Sequence, residues 1–129
     1  MDSDVLVVDD SAAIRKILTR VLRQTGMAIQ TIHEAGDGQE ALAVMALHRV
    51  DLVLSDINMP KMDGLQLLAS LKASPQWQNI PVVMITTEGG ETKVAEAVKL
   101  GAAGYVRKPF TADQIKEKLV GILEPAVTL

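Results

Sequence analysis

Two hydrophobic periods alternate along the chain. Short aliphatic runs at residues 5–8, 52–55, 81–85 and 103–106 predict strands that are buried on both faces of a sheet. A more polar run at residues 29–35 predicts a strand at the edge of that sheet. After each strand, apolar residues recur at intervals of three and four, which predicts five helices. This alternation indicates an α/β domain with a doubly wound, five-stranded parallel sheet flanked by five helices.

Residues typical of helix ends mark the predicted boundaries. Ser11 is expected to cap the first helix, and Gly26 and Gly101 are expected to end the first and fourth. The second helix is expected over residues 37–48, and the last is expected to stop at Pro125. The apolar positions of the five helices are Ile14, Ile17, Leu18, Val21 and Leu22; Ala41, Leu42, Met45 and Ala46; Leu65, Leu68 and Leu71; Val94, Ala97 and Val98; and Ile115, Leu119, Ile122 and Leu123.

The composition narrows the classes of function. A chain of 129 residues with 48% hydrophobic residues can bury one core, so residues 1–129 are expected to form a single domain. The apolar runs are too short for a membrane helix, and the acidic start argues against a signal peptide, so we expect a cytoplasmic protein with no membrane partner. The absence of cysteine excludes disulfides and thiolate metal sites. A net charge of −3 gives no electrostatic reason to expect a nucleic acid partner, and three aromatic residues disfavour a nucleotide cofactor.

Reactive side chains follow four of the predicted strands. Asp9 and Asp10 follow the first, Asp56 the third, Thr86 the fourth and Lys108 the fifth. The carboxyl ends of neighbouring parallel strands open onto one crevice, at the point where the strand order reverses. A strand order of 2-1-3-4-5 brings all five side chains to that rim, so we predict this order and a metal-assisted phosphoryl site.

The acidic residues predict a site for Mg²⁺, with Mn²⁺ as a substitute. Oxygen atoms are the ligands that this hard cation takes, usually one or two carboxylates together with waters. We expect Asp10 and Asp56 to be ligands, Asp9 to hold a metal-bound water, and Asn58 to add its backbone carbonyl. The simpler alternative is that Asp9 and Asp10 only cap the first helix, since acidic residues are common there.

Asp56 is the candidate nucleophile, because a carboxylate can attack phosphorus and form an aspartyl-phosphate. The ammonium group of Lys108 would neutralise charge on the transferred group, and a cis bond to Pro109 would fix its direction. Thr86 would donate its hydroxyl to a phosphoryl oxygen. Taken singly, Lys108 is also compatible with a solvated surface lysine, Thr86 with an ordinary strand threonine, and Tyr105 with a half-buried surface tyrosine. Their conjunction on one rim is what favours the reactive site.

Five segments in order along the chain resemble the receiver domains of two-component response regulators. They are Val7-Val8-Asp9-Asp10-Ser11, Ser55-Asp56-Ile57-Asn58-Met59-Pro60, Met62-Asp63-Gly64, Ile85-Thr86-Thr87 and Gly104-Tyr105-Val106-Arg107-Lys108-Pro109-Phe110. The resemblance covers nearly the whole chain, and within the family the sequence is most similar to single-domain, CheY-like chemotaxis regulators. It implies a flavodoxin-like fold.

The resemblance also implies a mechanism. Asp56 would accept a phosphoryl group from the phosphohistidine of a histidine kinase or a phosphotransfer protein, in a Mg²⁺-dependent step. Asp9 and Asp10 would hold the metal, and Lys108 would bind the phosphoryl group. The protein would hydrolyse its own aspartyl-phosphate but turn over no external substrate, so we do not expect an enzyme.

The same resemblance assigns the output. Thr86 would move toward the phosphate and Tyr105 would turn inward, which remodels the surface of the fourth helix, fifth strand and fifth helix. A protein target such as a flagellar switch component would bind there, and we expect the regulator itself to be a monomer. Asn58 and Glu88 occupy the positions that influence phosphoryl lifetime, and both resemble the chemotaxis type that hydrolyses quickly. Thr87 stands where receivers most often have alanine.

Two other functions are compatible with these residues. One is a stand-alone phosphatase that uses an aspartyl-phosphate intermediate, and the other is a receiver cut from a longer regulator. Basic residues on the first helix would form either a solvated face or a docking surface for an acidic partner helix, and the lysines near the output surface are open to the same two interpretations. These residues are Arg15, Lys16, Arg20 and Arg23 on the first helix, and Lys93, Lys99, Lys116 and Lys118 near the output surface.

Overall fold

Strands and helices alternate throughout the computed structural model, which describes residues 3–87 and 91–123. The elements are β1 (Ser3–Val8), α1 (Ala12–Gln24), β2 (Ile29–Ala35), α2 (Gly38–Leu47), β3 (Leu52–Asp56), α3 (Gly64–Lys72), β4 (Val82–Thr86), α4 (Glu91–Leu100), β5 (Gly104–Arg107) and α5 (Ala112–Leu123). The predicted end of α5 at Pro125 lies outside the described residues. Within those residues, no helix combines the length and apolar character needed to span a membrane.

The five strands form one parallel sheet in the order β2-β1-β3-β4-β5. The predicted order and the edge position of β2 are therefore confirmed. The register aligns the carboxyl ends of the strands, since Val8 pairs with Ser55, Asp56 with Ile85, and Thr86 with Arg107.

Several strand boundaries differ from the sequence prediction by one residue. Asp56 and Thr86 are the last residues of β3 and β4 instead of following them, because both still pair with the neighbouring strand. β4 begins after Pro81, which has no N–H group to donate to a ladder. β5 extends to Arg107, so Lys108 comes directly after the strand.

The core consists of two layers, one on each face of the sheet. Successive strand residues point to opposite faces, so Val5 and Val7 pack toward α1 and α5 while Leu6 and Val8 pack toward α2, α3 and α4. Leu6, Leu22, Leu68 and Leu119 are fully buried. Burial on both faces explains why the strands read as continuous apolar runs.

Three residues predicted from helical spacing to be apolar contacts are instead exposed, and one of them is Ala46 on α2. Ile17 on α1 is 44% exposed and Val98 on α4 is 57% exposed. Ile17 and Val98 each lie one position from a buried residue, Leu18 and Ala97, and one position turns a helix by roughly 100°. The core-facing stripe of each helix is therefore narrower than the apolar pattern indicates.

The predicted helix ends are present. The Ser11 hydroxyl accepts a hydrogen bond from the N–H of Ile14 at 3.2 Å and caps α1. Gly26 and Gly101 have φ values of 73° and 104°, in the left-handed region that glycine tolerates. Asp63 caps α3 and forms a reciprocal capping box with Gln66.

Gly64 allows α3 to begin directly against the end of β3. Its N–H donates to the carbonyl oxygen of Ile57 at 2.8 Å. A Cβ atom at this position would collide with the carbonyl oxygen of Asp56, and would lie 2.9 Å from the Cα atom of Ile57. Both are backbone atoms that a rotamer change cannot move away, so the close approach requires glycine.

We therefore predict that Gly64→Ala lowers the free energy of unfolding by about 1–3 kcal/mol, because the added methyl group forces a backbone shift. The matched control is Gly121→Ala in α5, where nothing lies within 4 Å of the added Cβ. That change should be neutral or stabilise by up to about 1 kcal/mol, since glycine is a poor helix former. Equal effects of the two substitutions in urea denaturation would contradict the assignment.

Candidate functional site

Three carboxylates meet at the carboxyl edge of the sheet. Asp9 and Asp10 follow β1, and Asp56 ends β3. One oxygen from each residue can be chosen so that all three lie within 4.8 Å of one another. Asp9 and Asp56 are 1% and 8% exposed, whereas Asp10 is exposed to solvent. Two carboxylates of this crevice are therefore buried, and the third is open to solvent.

Lys108 joins two of these carboxylates. Its Nζ atom lies 3.0 Å from Oδ2 of Asp9 and 3.6 Å from Oδ1 of Asp56. Lys108 is only partly exposed, so the ion pair is shielded from bulk water. The Lys108–Pro109 peptide bond is cis. Side chains at the carboxyl ends of β1, β3 and β5 are thus joined by the two ion pairs of Lys108.

The loop after β1 is braced independently of Lys108. Oδ1 of Asp9 accepts a hydrogen bond from the N–H of Ser11 at 2.9 Å. Arg15 donates from Nη1 to the carbonyl oxygen of Asp9 at 2.7 Å and forms an ion pair with Glu34 at 3.0 Å. Asp9 therefore supports the turn before α1, but Ser11 is the residue that caps the helix. Capping alone does not account for the position of the acidic pair.

The electrostatics of Asp56 reflect this crowded setting. Burial raises the pKa of the Asp56 carboxyl above its ordinary value, and the charges of Asp9 and Asp10 act in the same direction. The ammonium of Lys108 and the N–H of Ile57, which donates to Oδ1 at 2.9 Å, oppose them. Lys108 thus compensates the clustered negative charge only in part.

A hard divalent cation fits this donor set. The carboxylate oxygens are clustered, one of the three acids is open to solvent, and burial and like charge together raise the pKa of Asp56. A bound cation would relieve that repulsion, and Mg²⁺ takes a few carboxylates while keeping waters on its open side. Among residues 3–87 and 91–123, this is the one group of three or more potential metal-ligating side chains.

Thr86 is the last residue of β4 and lies at the same edge of the sheet. It is 4% exposed, and its hydroxyl donates to the carbonyl oxygen of Thr87 at 3.2 Å. The carbonyl oxygen of Thr86 accepts a hydrogen bond from the backbone N–H of Lys108 at 2.6 Å. The ends of β4 and β5 are therefore joined beside the acidic cluster.

Tyr105 lies outside the crevice, on the surface of β5. It is 39% exposed, and Nζ of Lys118 lies 5.7 Å from the centre of its ring. A surface pocket of about 310 Å³ lies beside Tyr105, between β5 and α5, with Gln114 among its lining residues. The ring is thus turned outward. The resemblance implies that it turns inward when the protein is activated.

The structure adds one contact that the sequence did not predict. Asn58 is exposed, and its Oδ1 atom accepts a hydrogen bond from Nζ of Lys93 at 2.6 Å. The two residues are 35 positions apart, and only the neighbouring positions of β3 and β4 bring them together. Sequence analysis treated Lys93 as one surface charge among several. Glu88, the other residue assigned to phosphoryl lifetime, lies outside the described residues.

The comparison with known families agrees with this geometry. A model of the response regulator receiver domain matches residues 5–120. The chain belongs to the response regulator receiver domain family. The resemblance inferred from the motifs is therefore confirmed over most of the sequence.

Individual receiver domains show the same likeness. The chain is 40% identical over 120 residues to the chemotaxis protein CheY-3 of Vibrio cholerae, which covers 93% of this chain and 91% of the relative. It is 38% identical to a CheY homologue of Campylobacter jejuni over 92% of this chain and 91% of that protein. The structure of CheY4 of Vibrio cholerae matches with a TM-score of 0.81 and 34% identity, over 92% of this chain and 97% of that one. This receiver domain is CheY-like in sequence and fold.

The raised pKa of Asp56 predicts a pH-dependent cost in stability. Between pH 3.8, the ordinary aspartate value, and the raised pKa of the folded state, the folded protein binds more protons than the unfolded chain. Its free energy of unfolding therefore falls as the pH rises through this window. In metal-free buffer, Asp56→Asn should be more stable than wild type at pH 7, by on the order of 1 kcal/mol. The advantage should vanish below pH 3.8.

Urea denaturation at several pH values in excess EDTA measures this difference. Asp113→Asn, which removes an exposed carboxylate from α5, is the control for the loss of a surface charge. If the Asp56→Asn variant were instead less stable at pH 7, the prediction would be wrong. The attraction between the Asp56 carboxylate and Lys108 would then stabilise the folded state by more than burial and the neighbouring carboxylates destabilise it.

Proposed function

We propose that this protein is a phosphorylation-activated signalling switch that accepts a phosphoryl group on Asp56 from the phosphohistidine of a histidine kinase or phosphotransfer protein. The observation that carries the proposal is the Lys108 ammonium, 3.6 Å from a buried Asp56 at the end of a central strand. Membership in the receiver domain family supports the same assignment.

The residues of the crevice account for the transfer. A carboxylate oxygen of Asp56 attacks the phosphorus, the bond from phosphorus to the imidazole nitrogen breaks, and its electron pair stays on the imidazole. Lys108 is placed to neutralise the charge of the arriving group. Asp9 holds Lys108 at 3.0 Å and so positions the ammonium toward the acceptor oxygen.

Mg²⁺ would be held by the carboxylates of Asp9, Asp10 and Asp56 together with the backbone carbonyl of Asn58, and Mn²⁺ would substitute for it. Bound there, the cation supplies positive charge to the transferring phosphoryl group. The protein residues supply the nucleophile, its burial and the ammonium. Asp56 also lies on β3, which pairs with β1 on one side and β4 on the other, and this pairing holds the carboxylate in place.

The output would follow from the contacts around Thr86. In the structure its hydroxyl donates to the Thr87 carbonyl, and a phosphoryl group on Asp56 would offer a stronger, charged acceptor. Movement of Thr86 would open space for Tyr105 to turn inward. The phosphoryl group thus biases an existing equilibrium between two arrangements of α4, β5 and α5.

We further propose a role in chemotaxis, acting in the cytoplasm as a monomer on a protein target such as a flagellar switch component. Two of the relatives are chemotaxis proteins by name. A phosphatase using an aspartyl-phosphate is less well supported, because such enzymes commonly need a second acid near the nucleophile to protonate the leaving group. Asn58 stands two residues after Asp56, where that acid would be expected, and it is exposed and hydrogen-bonded to Lys93.

Partner binding should therefore depend on activation at Asp56. In a pulldown with beryllofluoride and Mg²⁺, which together mimic the phosphorylated state, the protein should retain a target that it does not retain without them. Asp56→Asn should abolish the difference, because it replaces the carboxylate that accepts the phosphoryl group with a neutral amide. A target bound equally in both states, or turnover of phosphate monoesters at a steady rate, would contradict a switch.

The aspartyl-phosphate should also be short-lived. Asn58 is exposed at the mouth of the site and carries no bulk that would shield the phosphorus from water, so we expect self-hydrolysis with a half-life well below hours at neutral pH. Phosphate release from purified phosphoprotein measures it. A half-life of hours would show that water is excluded from the site.

A further inference from the structure

Lys93 contacts the loop that leaves β3 directly after Asp56. It lies in the first turn of α4, and its Nζ atom donates to Oδ1 of Asn58 at 2.6 Å. Asn58 is two residues past Asp56, on the loop that leaves the carboxyl end of β3. Lys93 therefore approaches the site from the α4 side, whereas Lys108 approaches it from β5.

The charge balance of the crevice gives Lys93 a role. With all three carboxylates ionised, Lys108 and one divalent ion together compensate them. Phosphorylation replaces the single negative charge of Asp56 with a group that carries roughly two at neutral pH. About one negative charge is then left without a partner, at a partly buried site where such charge is costly.

The present partner of Lys93 is uncharged. The contact joins an ammonium to a neutral amide oxygen, and both side chains are exposed. A phosphoryl oxygen carries negative charge, so it would add an ion-pair attraction that the neutral amide oxygen of Asn58 does not provide. A phosphoryl group on Asp56 would place charged acceptor oxygens near the Asn58 amide, within the range that a flexible lysine side chain can explore.

We infer that Lys93 is a phosphate-binding residue that leaves Asn58 to donate to the phosphoryl group on Asp56, from the side opposite Lys108. This inference rests on the proposed function of the same site. The exchange draws the first turn of α4 toward the crevice, and so gives the phosphoryl group a direct contact with α4 in addition to its contacts with Thr86 and Lys108.

Lys93→Met tests the inference, because it removes the charge but keeps the length of the side chain. With Mg²⁺ in excess, we expect the variant to bind beryllofluoride about three- to tenfold more weakly than wild type by titration calorimetry. Lys93→Arg should recover most of the affinity. The loss should shrink at high ionic strength, where the charge is screened.

Lys99→Met is the matched control, since Lys99 is an exposed lysine in the last turn of the same helix. It should leave the beryllofluoride affinity unchanged. The affinity for Mg²⁺ alone should be no weaker in Lys93→Met than in wild type, because Lys93 repels a cation. A merely structural role would lower both affinities together with the free energy of unfolding.

A double-mutant cycle with Asn58→Ala separates the two partners of Lys93. Asn58→Ala keeps the backbone carbonyl but removes the side-chain oxygen that competes for Lys93. In the wild-type background this substitution should increase the affinity for beryllofluoride. In the Lys93→Met background the increase should be smaller. Unchanged or tighter binding in Lys93→Met, or an equal loss in Lys99→Met, overturns the inference. Failure of the wild type to bind beryllofluoride would instead overturn the proposed function and this inference with it.

Discussion

The ion pairs of Lys108 with Asp9 and Asp56 hold the functional edge of the sheet together. A parallel sheet with aligned carboxyl ends brings the residues that follow β1 and β3 close to one another, and here those residues are acids. Lys108 comes directly after β5 and contacts both buried carboxylates, at 3.0 and 3.6 Å. Burial still raises the pKa of Asp56, so the compensation is incomplete. The crevice is consequently suited to binding further positive charge.

The same edge is linked to the outer surface of β5 through the backbone. The N–H of Lys108 donates to the carbonyl oxygen of Thr86, and Met84, two residues before Thr86, pairs with Tyr105 of β5. A ligand that pulls on the Lys108 ammonium and the Thr86 hydroxyl therefore acts on two adjoining strand ends at once. In the proposed switch, this arrangement would link the Asp56 carboxylate to the Tyr105 side chain through two neighbouring strands.

Much of this architecture was predictable from sequence, because it depends on short-range patterns. The apolar runs gave the strands and their edge or central positions, and glycines with positive φ marked two helix ends. The strand order brought the reactive side chains to one rim. The exposure of Ile17 and Val98 was not predictable, since the width of the buried stripe depends on how each helix is rotated against the sheet.

Contacts between residues far apart along the chain also could not be predicted from the sequence. The Lys93–Asn58 hydrogen bond and the Arg15 contact with the Asp9 carbonyl depend on the register of separate elements and on side-chain rotamers, which spacing does not encode. The requirement for glycine at position 64 likewise follows from the packing of α3 on β3.

The central claim is that Asp56 is a phosphoryl acceptor whose reactivity depends on the Lys108 ammonium. Intact-protein mass spectrometry with peptide mapping, after incubation with acetyl phosphate and Mg²⁺, tests it most directly. We expect one added phosphoryl group, located on Asp56, and a strongly reduced yield in Lys108→Met at equal Mg²⁺ saturation. Phosphorylation of another residue, or an unchanged rate and yield without the Lys108 ammonium, would contradict it.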